Sequence, residues 1–360
     1  MCKVYNQIGS LTTIKAHLHK NGVNEFNSVN DLLNFQKNYF NNQQQIISKH
    51  SILIEQEMEM LKGEIKQLEI LIETNKNEIS EKLQIELTQL KHQLDIVLSS
   101  PSNIIKKLIY YFKKFLIKRK IRNIEFQSDS IIKKYIQSSI NTLSIKSSRH
   151  NYIISHLSEA INESSSLELK ELDRKKRIID DINSTIYGAI GEQKVYKDLE
   201  NLSDDYHLIN DFTCSFKPAI YNQQGNDYIK SVQIDHILIS PSGIFLIETK
   251  NWSEHSINNI SLRSPVEQIK RTSFALFKML SGKIISSLNQ HHWGNRKIPI
   301  RNLIVLINHK PIEEFQYVKV LSLKELRNYV EYFKPSFSNN ETQMIASYLL
   351  RLNGQIINIP

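Results

Sequence analysis

The sequence predicts an α/β protein: a long α-helical, coiled-coil-forming N-terminal region, then a domain of short strands and helices. Three observations predict it. Apolar residues recur at heptad spacing from Ile54 to Val97. Residues 183–360 hold seven of the eight prolines and seven of the ten glycines, so the texture changes near residue 182. Within that second part, residues 232–252 (VQIDHILISPSGIFLIETKNW) place two apolar runs around a Ser-Pro-Ser-Gly turn. The expected organisation is a helical region over 1–182, a strand-bearing domain over 183–335, and a C-terminal helix over 336–360 packing on it.

Composition narrows the function classes. The chain has 360 residues, 46 Lys+Arg against 37 Asp+Glu, and a net charge of +9. With 40% hydrophobic residues it is neither disordered nor collagen-like. The excess charge is +6 over residues 1–182 and +3 over the rest, a mild preference for anionic partners and not a polycation. Cys2 and Cys214 stand far apart, which excludes a disulfide framework and a cysteine zinc site. The start, MCKVYNQIGS, lacks a secretion signal's basic-then-apolar run, and no apolar run is long enough to span a bilayer. A cytoplasmic protein is expected.

The helical region is read first from its seam. Ile54, Met58, Leu61, Ile65, Leu68, Ile72, Asn75 and Ile79 alternate steps of 4 and 3. The seam resumes at Leu83, Leu87, Leu90, Leu94 and Val97, after a stutter that relaxes the supercoil. Asn75 selects one register at some cost in stability. Pro101 ends the helix. A partner helix from the same protein, in cis or trans, is expected, and residues 51–98 offer a homo-oligomer interface. Residues 103–122 carry eight Lys/Arg and no acid, interleaved with Ile104, Ile105, Leu108, Ile109, Phe112, Phe115 and Leu116. Three readings stay open: a packed amphipathic helix with a solvated basic face, an interfacial helix on an anionic membrane, or a basic strip on nucleic acid.

The hairpin carries the chemistry. If Ile239 and Ile244 close it, Asp235 lies opposite Glu248, and opposed residues share a face. Lys250, two residues beyond Glu248, falls on that face too. The flanking residues are apolar on both sides, so the strands are expected to be buried, where opposed like charges are costly. A divalent cation compensates best, because paired carboxylate oxygens are the hard ligands Mg²⁺ or Mn²⁺ takes. The bland alternative is a buried Lys–Glu–Asp network in an inert sheet. Upstream, Gly188, Gly191, Glu192, Val195, Leu199 and Leu202 share a helical face. Glu192 is there either the edge of the apolar stripe or a third carboxylate for the metal. Downstream, Ser264-Pro265-Val266-Glu267 reads as a capped helix start, with Ser264 at the N-cap. It offers Gln268, Lys270 and Arg271 to a phosphate backbone.

Gly188-x-x-Gly191-Glu192, Gln233-Ile234-Asp235-His236, Gly243-Ile244-Phe245 with Glu248-Thr249-Lys250-Asn251-Trp252, and Pro265-Val266-Glu267-Gln268 together resemble the nuclease-related domain (NERD) family. That family has the PD-(D/E)xK nuclease-like fold. The resemblance spans about residues 184–330. It implies a mixed sheet flanked by helices, with Ile300–Ile307 and Val318–Val330 as its later core. It also implies that Asp235 and Glu248 hold the metal, that Lys250 assists catalysis, and that Glu192 and Gln268 complete the site. The helical extension resembles those before this domain in some bacterial members. Neither a Walker A run nor a kinase signature is present.

The expected activity is Mg²⁺-dependent phosphodiester hydrolysis of nucleic acid, with DNA favoured because the fold's relatives mostly cut DNA. The rival is a non-catalytic coiled-coil scaffold that binds nucleic acid or an anionic membrane surface. His291-His292-Trp293 reads as a loop, His236 as a core histidine facing away from Asp235, and Pro218–Lys230 as a polar loop.

Overall fold

The computed structural model describes residues 1–96, 104–223, 225–252, 263–283, 298–308 and 313–358, apart from the side chains of 104–108, 263, 282 and 283. Two compact units emerge. One is Asn38–Asp173; the other joins Met1–Lys37 to Arg174–Pro360. The division therefore does not fall at residue 182 alone. Residues 1–37 belong with the strands because their apolar side chains find partners there. Ile14 and Leu18 pack with Ile179, Ile182 and Ile186 in one buried cluster.

The helical unit follows the heptad rule. Helix α2 spans Val29–Ile96, α3 Ile104–Ser155 and α4 Leu157–Asp180. Every seam position from Ile54 to Leu94 is buried or half-buried, Asn75 included. The partners are the chain's own α3 and α4: Ile54 and Leu61 share a buried cluster with Ile153 of α3 and Ala160 of α4. Ion pairs flank the seam. Arg149 grips Glu57 through two hydrogen bonds of 2.8 and 3.1 Å, Lys146 meets Glu64 at 2.7 Å, and Lys91 meets Glu125 at 2.8 Å. As the α2 number rises the α3 number falls, so the two helices are antiparallel. Val97 and the expected break at Pro101 lie outside the described residues. In the basic segment, Ile109, Phe112, Phe115 and Leu116 are exposed, so this stretch is not a packed amphipathic helix. No helix among the described residues is long and apolar enough to cross a membrane.

The second unit is a mixed seven-stranded sheet with helices on both faces. Its strands are β1 (Lys3–Tyr5), β2 (His207–Asn222), β3 (Asp227–Ser240), β4 (Gly243–Lys250), β5 (Ile300–Leu306), β6 (Val318–Ser322) and β7 (Ile356–Asn358). Their order is β1-β2-β3-β4-β5-β6, with β7 also beside β2. β2, β3 and β4 form an antiparallel meander, while β4, β5 and β6 run parallel. β2 and β3 are longer than the sequence suggests. Tyr221 and Tyr228 still pair, so much of the expected polar loop 218–230 is a hairpin end.

The helices of this unit are α1 (Gly9–Lys20), α5 (Asn183–Leu199), α6 (Arg263–Lys283), α7 (Leu323–Glu331) and α8 (Asn339–Leu352). Val195 and Leu199 of α5 and Leu326 and Val330 of α7 cover Phe245, Ile247 and Leu303. Ile269 and Leu276 of α6 and Ile345 and Leu349 of α8 cover Leu246 and Ile304 on the opposite face. α6 is already helical at Arg263, so Ser264 sits inside the first turn instead of capping it. Pro265 is tolerated there because first-turn N–H groups lack intrahelical partners. Serines cap later helices: Ser322 and Ser338 each form a capping box, with Glu325 and Glu341 respectively.

The hairpin turn is as read from the sequence: Ser240 pairs with Gly243, Ile239 with Ile244, and the ladder continues to His236 with Ile247. Gly243 has φ +130°, which a side chain would strain. β4 is buried from Gly243 to Thr249, and only Lys250 reaches partway to solvent. Burying each large apolar side chain contributes about 1.5–3 kcal/mol, so this strand can hold acidic groups at its end.

α5 reaches that end because of one glycine. A Cβ on Gly191 would lie 2.9 Å from the Asn251 Cβ and 3.2 Å from the Thr249 Cγ2. Asn251 Nδ2 also donates to the Tyr187 carbonyl at 2.7 Å, tying helix to strand. Gly191→Val is expected to destabilise the protein by about 1–3 kcal/mol through overpacking. Urea unfolding would show the lower midpoint; an unchanged midpoint would mean that the helix moves away at no cost.

Candidate functional site

The site begins as an irregularity shared by three strands. In the β2–β3 ladder, Asn210 pairs with His236 and Phe212 with Ile234, which sets Asp211 opposite Asp235 in an unpaired step. Asp211 has φ +47°, a left-handed conformation that Asp tolerates better than most residues. The parity of core-facing residues changes at this step. Phe212, Cys214, Val232 and Ile234 face the α6 layer on one side of it, Ile209, Ile237 and Ile239 on the other. The β3–β4 ladder stops at His236–Ile247, one step short of Asp235 and Glu248. Asp235 therefore lies between two acids, Asp211 on β2 and Glu248 on β4.

The backbone uses this carboxylate. Ile244 N–H donates to the Pro299 carbonyl on the β5 side. N–H directions alternate along a strand, so Thr249 N–H faces β3. Asp235 Oδ2 accepts it at 2.7 Å. The side chain thus reaches the β4 backbone next to Glu248. Burial pushes its pKa well above the usual Asp value, and the charges of Glu248 and Glu192 push it further.

Glu248 is only 3% exposed. Its Oε1 accepts from Lys250 Nζ at 2.8 Å. Its Oε2 is buried without a hydrogen-bond partner. Lys250 is half-buried, and burial opposes its charge. The carboxylates of Glu248, Asp235 and Glu192 more than offset that and hold its pKa above the usual value.

Glu192 enters from α5. Ser10 Oγ, at the start of α1, donates to its Oε1. Burial raises its pKa; the Ser10 hydroxyl opposes this, and the charges of Asp211 and Glu248 add to it. The segment before Ser10 is fixed as well. β1 pairs with β2 through Tyr5 and Ile209, and Asn6 and Asn210 exchange amide-to-carbonyl hydrogen bonds of 3.3 and 3.2 Å. A Cβ on Gly9 would overlap the Asp211 carboxylate.

The remaining predicted residues divide. Gln268 is exposed on α6 and lines a groove of about 520 Å³ with Lys230, Gln233 and Arg271. Gln233 Nε2 donates to Asp211 Oδ1 at 3.0 Å, so the groove adjoins the acids. The Gln268 side chain has no hydrogen bond to those acids. Arg271 pairs with Asp227 at 2.9 Å and stays half exposed. Lys270, about 100° further round the helix, lines a different cavity. Lys270 and Arg271 therefore do not form one phosphate clamp.

His236 is fully buried, and its Nδ1 bonds Asn210 Oδ1 at 2.8 Å. Burial drives its pKa down to about 3, so it is a neutral core residue. Burial pushes the Cys214 thiol up to about 12, which makes it a poor nucleophile. His291-His292-Trp293 lies outside the described residues. Sequence reasoning missed Asp211 and Ser10. A period-two pattern could have flagged Asp211 as an acid within a strand, but nothing local connects Ser10 with Glu192.

The site fits a divalent cation in its donor chemistry. Glu248 Oε2 is a buried hard oxygen with nothing to satisfy it, and Asp235 is beside it in register. Among the described residues no group of three or more His, Cys, Asp or Glu is gathered for a metal. Mg²⁺ suits such a sparse set, since it commonly takes one or two carboxylates and fills its shell with water and phosphate oxygens.

Residues 187–307 match the family model of the nuclease-related domain, NERD. Among proteins of curated function, and among solved structures, no similar chain was found.

The raised Asp235 pKa has a sign. Its charged form is disfavoured by folding, so the native state loses stability as pH rises from the ordinary Asp range through the raised value. Asp235→Asn removes that loss and keeps an acceptor for Thr249 N–H. In chelator at pH 7.5 the variant should unfold at a higher temperature than the parent, and the gap should close as pH falls toward 4. A variant that melts lower at pH 7.5 would contradict the charge crowding described here.

Proposed function

For a chain that carries a nuclease-related domain across residues 187–307, we propose a metal-dependent phosphodiesterase acting on nucleic acid, with DNA the favoured substrate. One observation carries the reading: a buried, unpartnered Glu248 oxygen beside an Asp235 that reaches the β4 backbone. Such a pair costs stability unless a cation joins it.

Asp235 and Glu248 would hold Mg²⁺ or Mn²⁺, with Glu192 completing the set directly or through water. The ion supplies Lewis acidity toward the scissile phosphate and a water of lowered pKa. Lys250 keeps Glu248 in place and sets a positive charge where the phosphorus-centred transition state gains negative charge. Ser10 fixes the Glu192 rotamer. The groove beside Gln233, with Lys230, Gln268 and Arg271, gives a polar track for the phosphate backbone. No base-reading signature accompanies it, so binding should be governed by phosphates and weaken steeply with salt.

The scaffold reading keeps one specific observation in its favour. Tyr111, Phe112, Phe115 and Leu116 are exposed beside Lys113, Lys118 and Arg119 on α3. That combination suits an anionic membrane surface. Flotation with anionic liposomes tests it, independently of any cutting.

Plasmid and oligonucleotide cleavage should require Mg²⁺ or Mn²⁺ and should be lost in Asp235→Ala. Lys250→Ala should reduce the rate by about 10²–10³. Calorimetry with Mn²⁺ should show a site that disappears in Glu248→Ala. Metal-dependent cutting that survives both of the first two substitutions would remove this site from the reaction. No Mn²⁺ heat from a folded protein would favour the scaffold.

A further inference from the structure

α6 lines a second cavity, distinct from the groove that adjoins the acids. Lys270, Ser273, Phe274 and Phe277 stand at i, i+3, i+4 and i+7 on the helix and line this cavity of about 730 Å³. That volume lies within the range of small-molecule pockets. The opposite wall is β5, β6 and the turn before β6, including Arg301, Tyr317 and Lys319. Among the described residues three cations therefore line the cavity and no carboxylate does. Lys270 and Lys319 have no acidic partner among the described residues. Arg301 is held on its inner side, with its guanidinium 3.7 Å from the Phe333 ring centroid.

Tyr317 is the unusual member. Its φ is +64°, a conformation a bulky residue rarely adopts and one that persists only when its surroundings enforce it. The surroundings do: Asn302 Nδ2 donates to the Tyr317 carbonyl at 3.1 Å, and Phe315 and Val318 bridge across the turn. The turn holds the backbone, and the residue it presents is 77% exposed. Phe277, across the cavity, is 50% exposed. Exposed rings at the mouth of a basic cavity without acids match what an unpaired strand requires: flat faces for its bases and cations for its phosphates.

We propose that this cavity binds single-stranded nucleic acid, with Tyr317 as a stacking platform for a base and Lys270 and Lys319 as phosphate contacts. The proposal deepens the phosphodiesterase reading by naming an unpaired segment as ligand. It rests on that reading only in assigning both sites to one polymer.

Fluorescence anisotropy of the full chain in chelator, where no cutting occurs, tests it with a labelled short oligothymidylate, the matching blunt duplex and a mononucleotide. The strand should bind more tightly than either alternative. Tyr317→Asn should weaken strand binding by about tenfold, while Tyr317→Trp should restore it. Asn tolerates the left-handed backbone, so Tyr317→Asn should melt no lower than the parent, which separates stacking from folding. Lys319→Gln should reduce the magnitude of the salt slope by about 0.7. Strand binding unchanged in both Tyr317→Asn and Lys319→Gln overturns the proposal, as does a preference for duplex or mononucleotide. If the expected binding pattern holds but Mg²⁺ elicits no cutting, the phosphodiesterase reading fails alone. Cutting without the pattern defeats the cavity alone.

Discussion

The structure turns on repulsion among acids that the sheet forces together. Asp211, Asp235 and Glu248 occupy successive strands at one level, and Glu192 joins them from α5. Two unit charges a few Å apart at an effective dielectric constant of 20 repel by roughly 4 kcal/mol. That is comparable with what burying two large apolar side chains supplies. The surrounding sheet, apolar on both faces, is what keeps this arrangement folded. The protein also blunts the repulsion locally with one ammonium, one hydroxyl, one side-chain amide and one backbone N–H, and leaves one Glu248 oxygen unmet.

What was legible in the sequence was local. The hairpin register followed from a four-residue turn and was right at every ladder pair from Ser240–Gly243 to His236–Ile247. The helical seam followed from a repeating step, and burial tracks it residue by residue from Ile54 to Leu94. The face shared by Asp235 and Glu248 was less legible. Strict alternation assumes regular strands, and the left-handed Asp211 and the interrupted ladders break that assumption at the step that carries the acids. Asp211 itself went unnoticed for this reason. Ser10 went unnoticed because its partner lies 182 residues away.

Helix α6 shows how a short sequence can serve two surfaces. Gln268 and Arg271 face the groove that adjoins the acids, while Lys270 and Phe274 face the aromatic cavity. Ile269 and Leu276 anchor the helix to the sheet between them. A string of polar residues after a proline reads as one basic patch. The 3.6-residue turn separates it into two.

The pairing of β2 sets a practical limit on dissecting the chain. Its neighbours on one side are β1 and β7, drawn from residues 3–5 and 356–358, and the hydroxyl on Glu192 comes from residue 10. All lie beyond the segment recognised as nuclease-related. A clone trimmed to the borders of that segment would expose a bare strand edge, prone to self-association, and would strip an acid of its donor. The folded unit is therefore larger than the stretch the family model matches, and in sequence it encloses the helical region as an insertion.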